Sequence, residues 1–454
     1  MKTNKVIQVL YDERLVGTLA LTSAHKAAFE YSEEWLETGF PVSPFSLPLK
    51  RQVFLPSKDY FGGLFGVFAD SLPDAWGRLL LQRLLKQQGE NADRLTVLDR
   101  LAIVGSSGMG ALTYQPQYDL CAEPELDNLD VLARQCQKIL NTEFSDKLDE
   151  LYRLGGTSGG ARPKIMTQID GESWIIKFPA HVDGPDAGFM EYQYALCAKQ
   201  CGITVSPFRL FSSDVCKGYF GTKRFDRVMT FSSEKHIHML TAAALLELDF
   251  EQPSLDYHSL MKLTKILTRD NPQDLENMYR RMCFNVFAHN QDDHSKNFTY
   301  LYDDTTDSWR LSPAYDLTYS NIYYGEHTTT VDGNGRNPGL KELVAVGTAA
   351  GLRKRNAWGI CFVNNWVQKR DTAFAMSRFL HPYHLYFFIF PTAHRLPSSL
   401  EVLQPALALS FPLSLSSASF RPPWMAYSCG LRFPVPGYPA PGRWQALPGC
   451  SRWQ

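Results

Sequence analysis

One ten-residue segment constrains this chain more than any other: His289-Asn290-Gln291-Asp292-Asp293-His294-Ser295-Lys296-Asn297-Phe298. It sets two acids, two histidines, a lysine and two asparagines directly after an apolar helix. Burial of apolar surface does not explain so many polar side chains beside core-like Phe287 and Phe298. Asn271-Pro272 reads as the cap and first turn of that helix, which turns Leu275, Met278, Met282 and Val286 inward and delivers the loop onto a rigid platform. Asp292 and Asn297 stand five residues apart. That is the spacing at which a phosphotransfer loop sets a catalytic base ahead of a magnesium ligand. Taken alone, the loop also fits a metal site drawn from His289, Asp292, Asp293 and His294, or a purely structural polar turn.

The residues that follow narrow these readings. Phe298 to Tyr302 and Trp309 to Leu311 read as strands around the polar turn Asp303 to Ser308, and the chain then runs through Ser312-Pro313-Ala314-Tyr315 to Asp316. A hairpin folds its ends together, so Asp316 is expected beside Asp292 and Asn297. Base, asparagine, hairpin and acid then stand in the order a phosphotransfer site needs. Asp292 would accept the hydroxyl proton while Asn297 and Asp316 hold magnesium.

Two upstream elements could complete such a site. Gly155-Gly156-Thr157-Ser158-Gly159-Gly160-Ala161-Arg162-Pro163-Lys164 is glycine-rich. Gly159 and Gly160 let backbone N–H groups approach an anion, and Thr157, Ser158 and Lys164 add donors or charge. The spacing before the lysine is not that of a Walker motif, and a plain turn also fits. Ile165 to Ile169 and Ser173 to Phe178 read as strands joined at Asp170-Gly171. Lys177 lies between Ile176 and Phe178, where burial is costly unless an anion meets it. It either reaches a nucleotide phosphate, oriented by an acid such as Glu191, or sits on the wet face of the hairpin. Glu191 is read as opening a helix that ends at Gly202.

Composition bounds the partners. With 454 residues and a formal net charge of −1, the chain can hold two or three domains and carries no global field that would recruit nucleic acid or an anionic membrane. Its nine cysteines include no Cys-x-x-Cys pair, which disfavours a zinc ribbon or a disulfide framework. Met1 to Val16 has no signal-peptide core, and the longest apolar tract, Phe379 to Phe390, is too short to span a bilayer. A soluble cytoplasmic protein is expected. Near the N-terminus, Val6 to Tyr11 and Leu15 to Leu19 suggest a hairpin. A helix from about Pro73 to Leu85 is expected, with Asp70 or Ser71 near its start and a core-facing stripe of Trp76, Leu79, Leu80, Leu84 and Leu85. Asp127 to about Leu151 looks helical and connective.

The chain resembles the HipA-type serine/threonine kinases, the toxin halves of bacterial toxin–antitoxin pairs, over roughly residues 5 to 355. The resemblance is carried by Phe68-Ala69-Asp70-Ser71-Leu72-Pro73-Asp74, Gly155 to Lys164, Ile175-Ile176-Lys177-Phe178-Pro179, Arg224-Phe225-Asp226-Arg227, Asp292 to Phe298, and Tyr315-Asp316. It implies a two-lobed, protein-kinase-like α+β fold with an N-terminal β-rich subdomain, using ATP and Mg2+. Lys177 would be the phosphate-binding lysine, Asp292 the catalytic base, and Asn297 and Asp316 the metal ligands. His238-Met239-Leu240 would be the adenine-contacting stretch, His238 and Leu240 included. In the family a serine at the head of the glycine-rich loop is autophosphorylated; Thr157 holds that position here, with Ser158 adjacent. Family targets include aminoacyl-tRNA synthetases, and a small DNA-binding antitoxin neutralises the kinase. No helix-turn-helix is evident here, so DNA contact would pass through that partner.

The domain reading is an N-terminal subdomain over 1–120, a kinase core over 121–357 and an atypical tail over 358–454. Past about Trp358, proline, serine, leucine and tryptophan become frequent and lysine ends at Lys369. That texture resembles an extension not selected for packing. The helical segment that closes the larger lobe in the family is expected to be lost within a few residues of Arg355. Rival functions are a nucleotide-binding regulator without catalysis, a metal-dependent hydrolase and a small-molecule kinase.

Overall fold

The computed structural model describes residues 4–121, 128–180, 182–230, 233–320 and 325–376, with side chains as far as 365. The expectations for Phe379 to Phe390 and for the Pro-rich tail fall outside the described residues.

Alternation near the N-terminus yields the expected hairpin. β1 (Val6–Tyr11) and β2 (Arg14–Leu21) pair antiparallel around Asp12-Glu13, whose φ values are 48° and 63°. Two positive φ values give the turn a twist that suits the flanking strands. β3 (Ala27–Tyr31) and β4 (Leu112–Gln115) complete an antiparallel sheet in the order β3-β2-β1-β4. Its inner face buries Val9, Leu19 and Phe29 completely, each burial stabilising by about 1.5–3 kcal/mol.

The leucine-striped helix runs Ala75–Gln87 and buries Trp76, Leu80, Leu84 and Leu85. It begins later than the sequence suggests, with Asp74 as its N-cap residue. Asp70 ends the preceding short helix Gly66–Ala69 instead, and its carboxylate accepts the Thr241 N–H and hydroxyl at 2.7 and 3.0 Å. The connective stretch forms two helices, Leu129–Leu140 and Leu148–Gly155.

The smaller lobe is built on β5 (Lys164–Ile169) and β6 (Glu172–Lys177), joined at Asp170-Gly171 with φ values of 54° and 75°. β7 (Phe208–Phe211) and β8 (Tyr219–Lys223) extend the sheet in the order β5-β6-β8-β7. The helix Ala187–Gln200 packs on β7 and β8. Glu191 therefore sits one turn inside that helix rather than at its head.

The larger lobe carries the sheet Met239–Thr241, Thr299–Asp303 and Ser308–Leu311, in which Met239 pairs with Leu301 and Tyr300 with Leu311. The helix Pro272–Phe287 starts as expected: the Asn271 side chain accepts the N–H groups of Gln273 and Asp274, and Pro272 occupies the first turn. One apolar core runs from Ile7 of β1 to Cys361, joining the N-terminal sheet to the helices of this lobe.

The closing helix differs from the expectation. Lys354–Met376 is helical past Arg355, and Ala357, Ile360, Cys361 and Asn364 are buried. Those positions recur at intervals of three and four, so one stripe of the helix is selected for packing through residue 364. No helix among the described residues is long and apolar enough to cross a membrane.

Candidate active site

The cleft between the lobes encloses about 550 Å3, a volume within the range of small-molecule sites. Alternation along β6 decides where Lys177 points. Ile176 is buried in the core of the smaller lobe, whereas Ile175 and Lys177 line the cleft. The Lys177 ammonium meets Glu191 at 2.5 Å and also contacts Asp316. Burial works against its charge, but the Asp316 and Glu191 carboxylates outweigh this and raise its pKa. Burial likewise raises Glu191. Asp316 is held well below the usual carboxylate range because Lys177 and then Lys164 overcome its desolvation.

The polar loop is anchored from behind, which frees its front. Asp293 is fully buried and accepts from the Tyr257 hydroxyl at 2.9 Å and the Thr329 N–H at 3.1 Å, with His327 Nδ1 also at 3.1 Å. Asn290 donates to Asn285 Oδ1 and to the Asp316 carbonyl at 3.0 and 3.2 Å. Asp292, His294, Lys296 and Asn297 line the cleft. Asn297 Nδ2 donates to the Asp292 carbonyl at 2.7 Å, which leaves its amide oxygen as the atom able to bind a cation. An amide oxygen and a carboxylate are the hard donors that magnesium takes beside phosphate oxygens, so Asn297 and Asp316 fit the expected ion. The same anchoring separates the alternative metal set. Asp293 is consumed by its buried partners, and the His289 ring stacks on Tyr319. Among the described residues no group of three or more His, Cys, Asp or Glu side chains could hold a metal ion.

Asp292 has its pKa raised, chiefly by the partial burial of its side chain in the cleft, with His294 opposing and Asp316 adding. A carboxyl-resonance titration of the nucleotide-free protein, assigned by the signal missing in Asp292→Asn, is expected to place its midpoint above about 3.9, the value of free aspartate. A midpoint at or below that value would contradict the electrostatics of the cleft.

The glycine-rich loop also meets the cleft. Ser158, Gly159, Gly160 and Lys164 line it, and the Lys164 ammonium donates to the Gly159 carbonyl at 2.5 Å. Both candidate hydroxyls are buried and donate to carbonyls, Thr157 to Ser107 at 2.9 Å and Ser158 to Gly155 at 2.7 Å.

His238 and Leu240 need correction. Period two along Met239–Thr241 puts Met239 and Thr241 on the cleft, while Leu240 is fully buried in the core. The His238 ring lies among Tyr11, Phe40 and Trp309, with Nε2 at 2.8 Å from the Val42 carbonyl. The cleft-facing side chains of this strand are therefore Met239 and Thr241. Residues with no assigned role in the sequence also line the cleft, notably Asp74, Lys296 and Phe225. All three stand in stretches that carry the resemblance, but the pairing of Asp74 with Lys296 spans 222 residues of sequence, and no spacing rule reveals it.

These elements define a kinase-like α+β fold: two lobes closing on a cleft, behind a β-rich N-terminal subdomain. Family models described as HipA N-terminal domain and HipA-like C-terminal domain match residues 7–115 and 156–366. The chain belongs to the HipA family, and the match continues past Trp358 into the closing helix. Among solved structures it is similar to HipA of Shewanella oneidensis MR-1, solved with HipB and its operator DNA, at 16% identity and a TM-score of 0.59 over 85% of this chain and 92% of that one. Two Sinorhizobium fredii proteins, named Putative kinase Y4mE and Putative kinase Y4dM, are 26% and 25% identical over 71% of this chain and 79% of each relative.

Proposed function

We propose that this chain is an ATP- and magnesium-dependent serine/threonine protein kinase acting as a HipA-type toxin. The observation that carries the reading is the Lys177 ammonium held between Glu191 and Asp316 in a cleft also lined by Asp292 and Asn297. Lys177 would bind nucleotide phosphate, with Glu191 fixing its direction. Asn297 and Asp316 would hold the magnesium ion, which neutralises charge on the phosphates when bound. Asp292 would take the proton of the attacking protein hydroxyl. Anchoring of Asp293 keeps that base in register without engaging its carboxylate.

The similar Shewanella HipA was solved with HipB and operator DNA. By analogy, a small DNA-binding antitoxin is proposed as the partner here, with DNA reached only through it, in the cytoplasm. Thr157 and Ser158 are the proposed autophosphorylation sites. Their buried hydroxyls require the loop to move before either can react.

The test is incubation of the full chain with labelled ATP and magnesium, followed by mass spectrometry. Label on a serine or threonine is expected, with Lys177→Met lowering incorporation at least about tenfold through loss of a charged phosphate contact. Nucleotide binding with no incorporation under any condition would favour a regulator without catalysis. Phosphate appearing only on a small molecule would favour the corresponding kinase class.

A further inference from the structure

Lys296, directly before Asn297, lines the cleft. The Tyr315 hydroxyl donates to its carbonyl at 2.5 Å, and its ammonium lies 4.6 Å from the ring centroid of Phe250. The anion that receives this ammonium comes from neither lobe. It is Asp74, in the N-terminal subdomain, at 2.5 Å. The other Asp74 oxygen accepts the Gly160 N–H of the glycine-rich loop at 2.8 Å. One carboxylate therefore serves both segments that phosphoryl transfer must bring together.

The surrounding contacts fix Asp74 in place. The indole N–H of Trp76 donates to the Lys164 carbonyl at 3.2 Å. A Cβ on Gly77 would come within 2.4 Å of the Gly156 carbonyl oxygen, so helix and loop meet backbone to backbone. The Asp74 and Lys296 side chains are only 21% and 17% exposed. Burial disfavours the Asp74 charge, but Lys296 and the Gly160 N–H outweigh it and lower its pKa.

We propose that Asp74 is a positioning residue for phosphoryl transfer: it clasps the Lys296 ammonium and the Gly160 amide, so that the N-terminal subdomain completes the kinase site. The effect on rate rests on the kinase reading, whereas the clasp itself does not. Asp74→Ala removes both contacts; Asp74→Asn keeps an acceptor for Gly160 but removes the charge facing Lys296.

Hydrogen exchange on the full chain reads the clasp without catalysis. In Asp74→Ala, amides of the glycine-rich loop and of residues 292–298 are expected to exchange at least about tenfold faster, the scale of a lost hydrogen bond to a charged group. The β1–β4 sheet, unchanged, controls for folding. Asp74→Asn should loosen the catalytic loop alone, and it supplies the measurement if the alanine variant does not fold. Unchanged exchange in both loops overturns the proposal, whether or not the chain transfers phosphate.

With transfer established, Asp74→Asn should lower kcat about tenfold and move KM for ATP less than about threefold. Combining it with Lys296→Met should be no worse than Lys296→Met alone, because Asp74 acts through that lysine. Additive losses in the double variant would overturn the proposal.

Discussion

Asp292→Asn is expected to lower phosphoryl transfer by about a hundred- to ten-thousand-fold, the range for removing a general base, while leaving the fold intact. The separation of effects follows from how the loop is held. The structural work of this residue is done by its backbone, whose carbonyl accepts Asn297 Nδ2 at 2.7 Å. The carboxylate itself is 46% exposed, and the imidazole Nε2 of His294 lies 3.9 Å from it. Replacing one oxygen by an amide therefore removes a proton acceptor without emptying a buried hydrogen bond. The neighbouring Asp293 is the opposite case, with no exposure and partners from Tyr257, His327 and Thr329. Labelled-phosphate transfer and thermal melting of Asp292→Asn and Asp293→Asn make the comparison, with the melting temperature expected to fall only in the second. Unchanged transfer in purified Asp292→Asn would exclude it as the base, and the kinase mechanism proposed above would lose its central step.

That contrast also marks what the sequence could reveal. Local chemistry was readable: Asp170-Gly171 announced the β5–β6 turn, Asn271-Pro272 announced a helix start, and the polar run after Phe287 announced a loop. Each signal lies within a few residues, where backbone preference and hydrogen bonding act directly. Period two was less decisive. It allowed Lys177 either face of its strand, and only the packing of Ile176 into the core settles the choice. It also leaves His238 and Leu240 indistinguishable from Met239 and Thr241 until the partner of that strand is known. Least readable were contacts closed by tertiary structure. Asp74 looked like one acid in a motif ahead of an ordinary amphipathic helix, and Asp226 looked like one acid between two arginines. Nothing near either residue in sequence names the loops they hold.

Asp226 carries the second large prediction: Asp226→Ala is expected to destabilise the protein by about 3–5 kcal/mol, the cost of leaving buried charge uncompensated. Its carboxylate is fully buried and accepts from Arg224 at 3.0 and 2.7 Å, Arg227 at 2.7 Å and the Gly110 N–H at 2.8 Å. The same guanidinium groups donate onward to the Gly108 and Gly110 carbonyls of the N-terminal subdomain. Losing the carboxylate thus strands two buried cations and loosens the seam between subdomain and kinase core. Burial raises the pKa of Asp226, but Arg224 and Arg227 dominate and hold it far below the ordinary carboxylate value. A depressed folded pKa contributes stability that is fully present above the unfolded value of about 3.9 and is lost as pH falls toward the folded one. The stability gap between the unaltered chain and Asp226→Ala should therefore be widest near neutrality and narrow progressively below about pH 4. Urea unfolding at several pH values measures that gap directly. Equal midpoints at pH 7 would mean that the two arginines find water or other anions, and that the seam between subdomain and kinase core does not depend on this carboxylate.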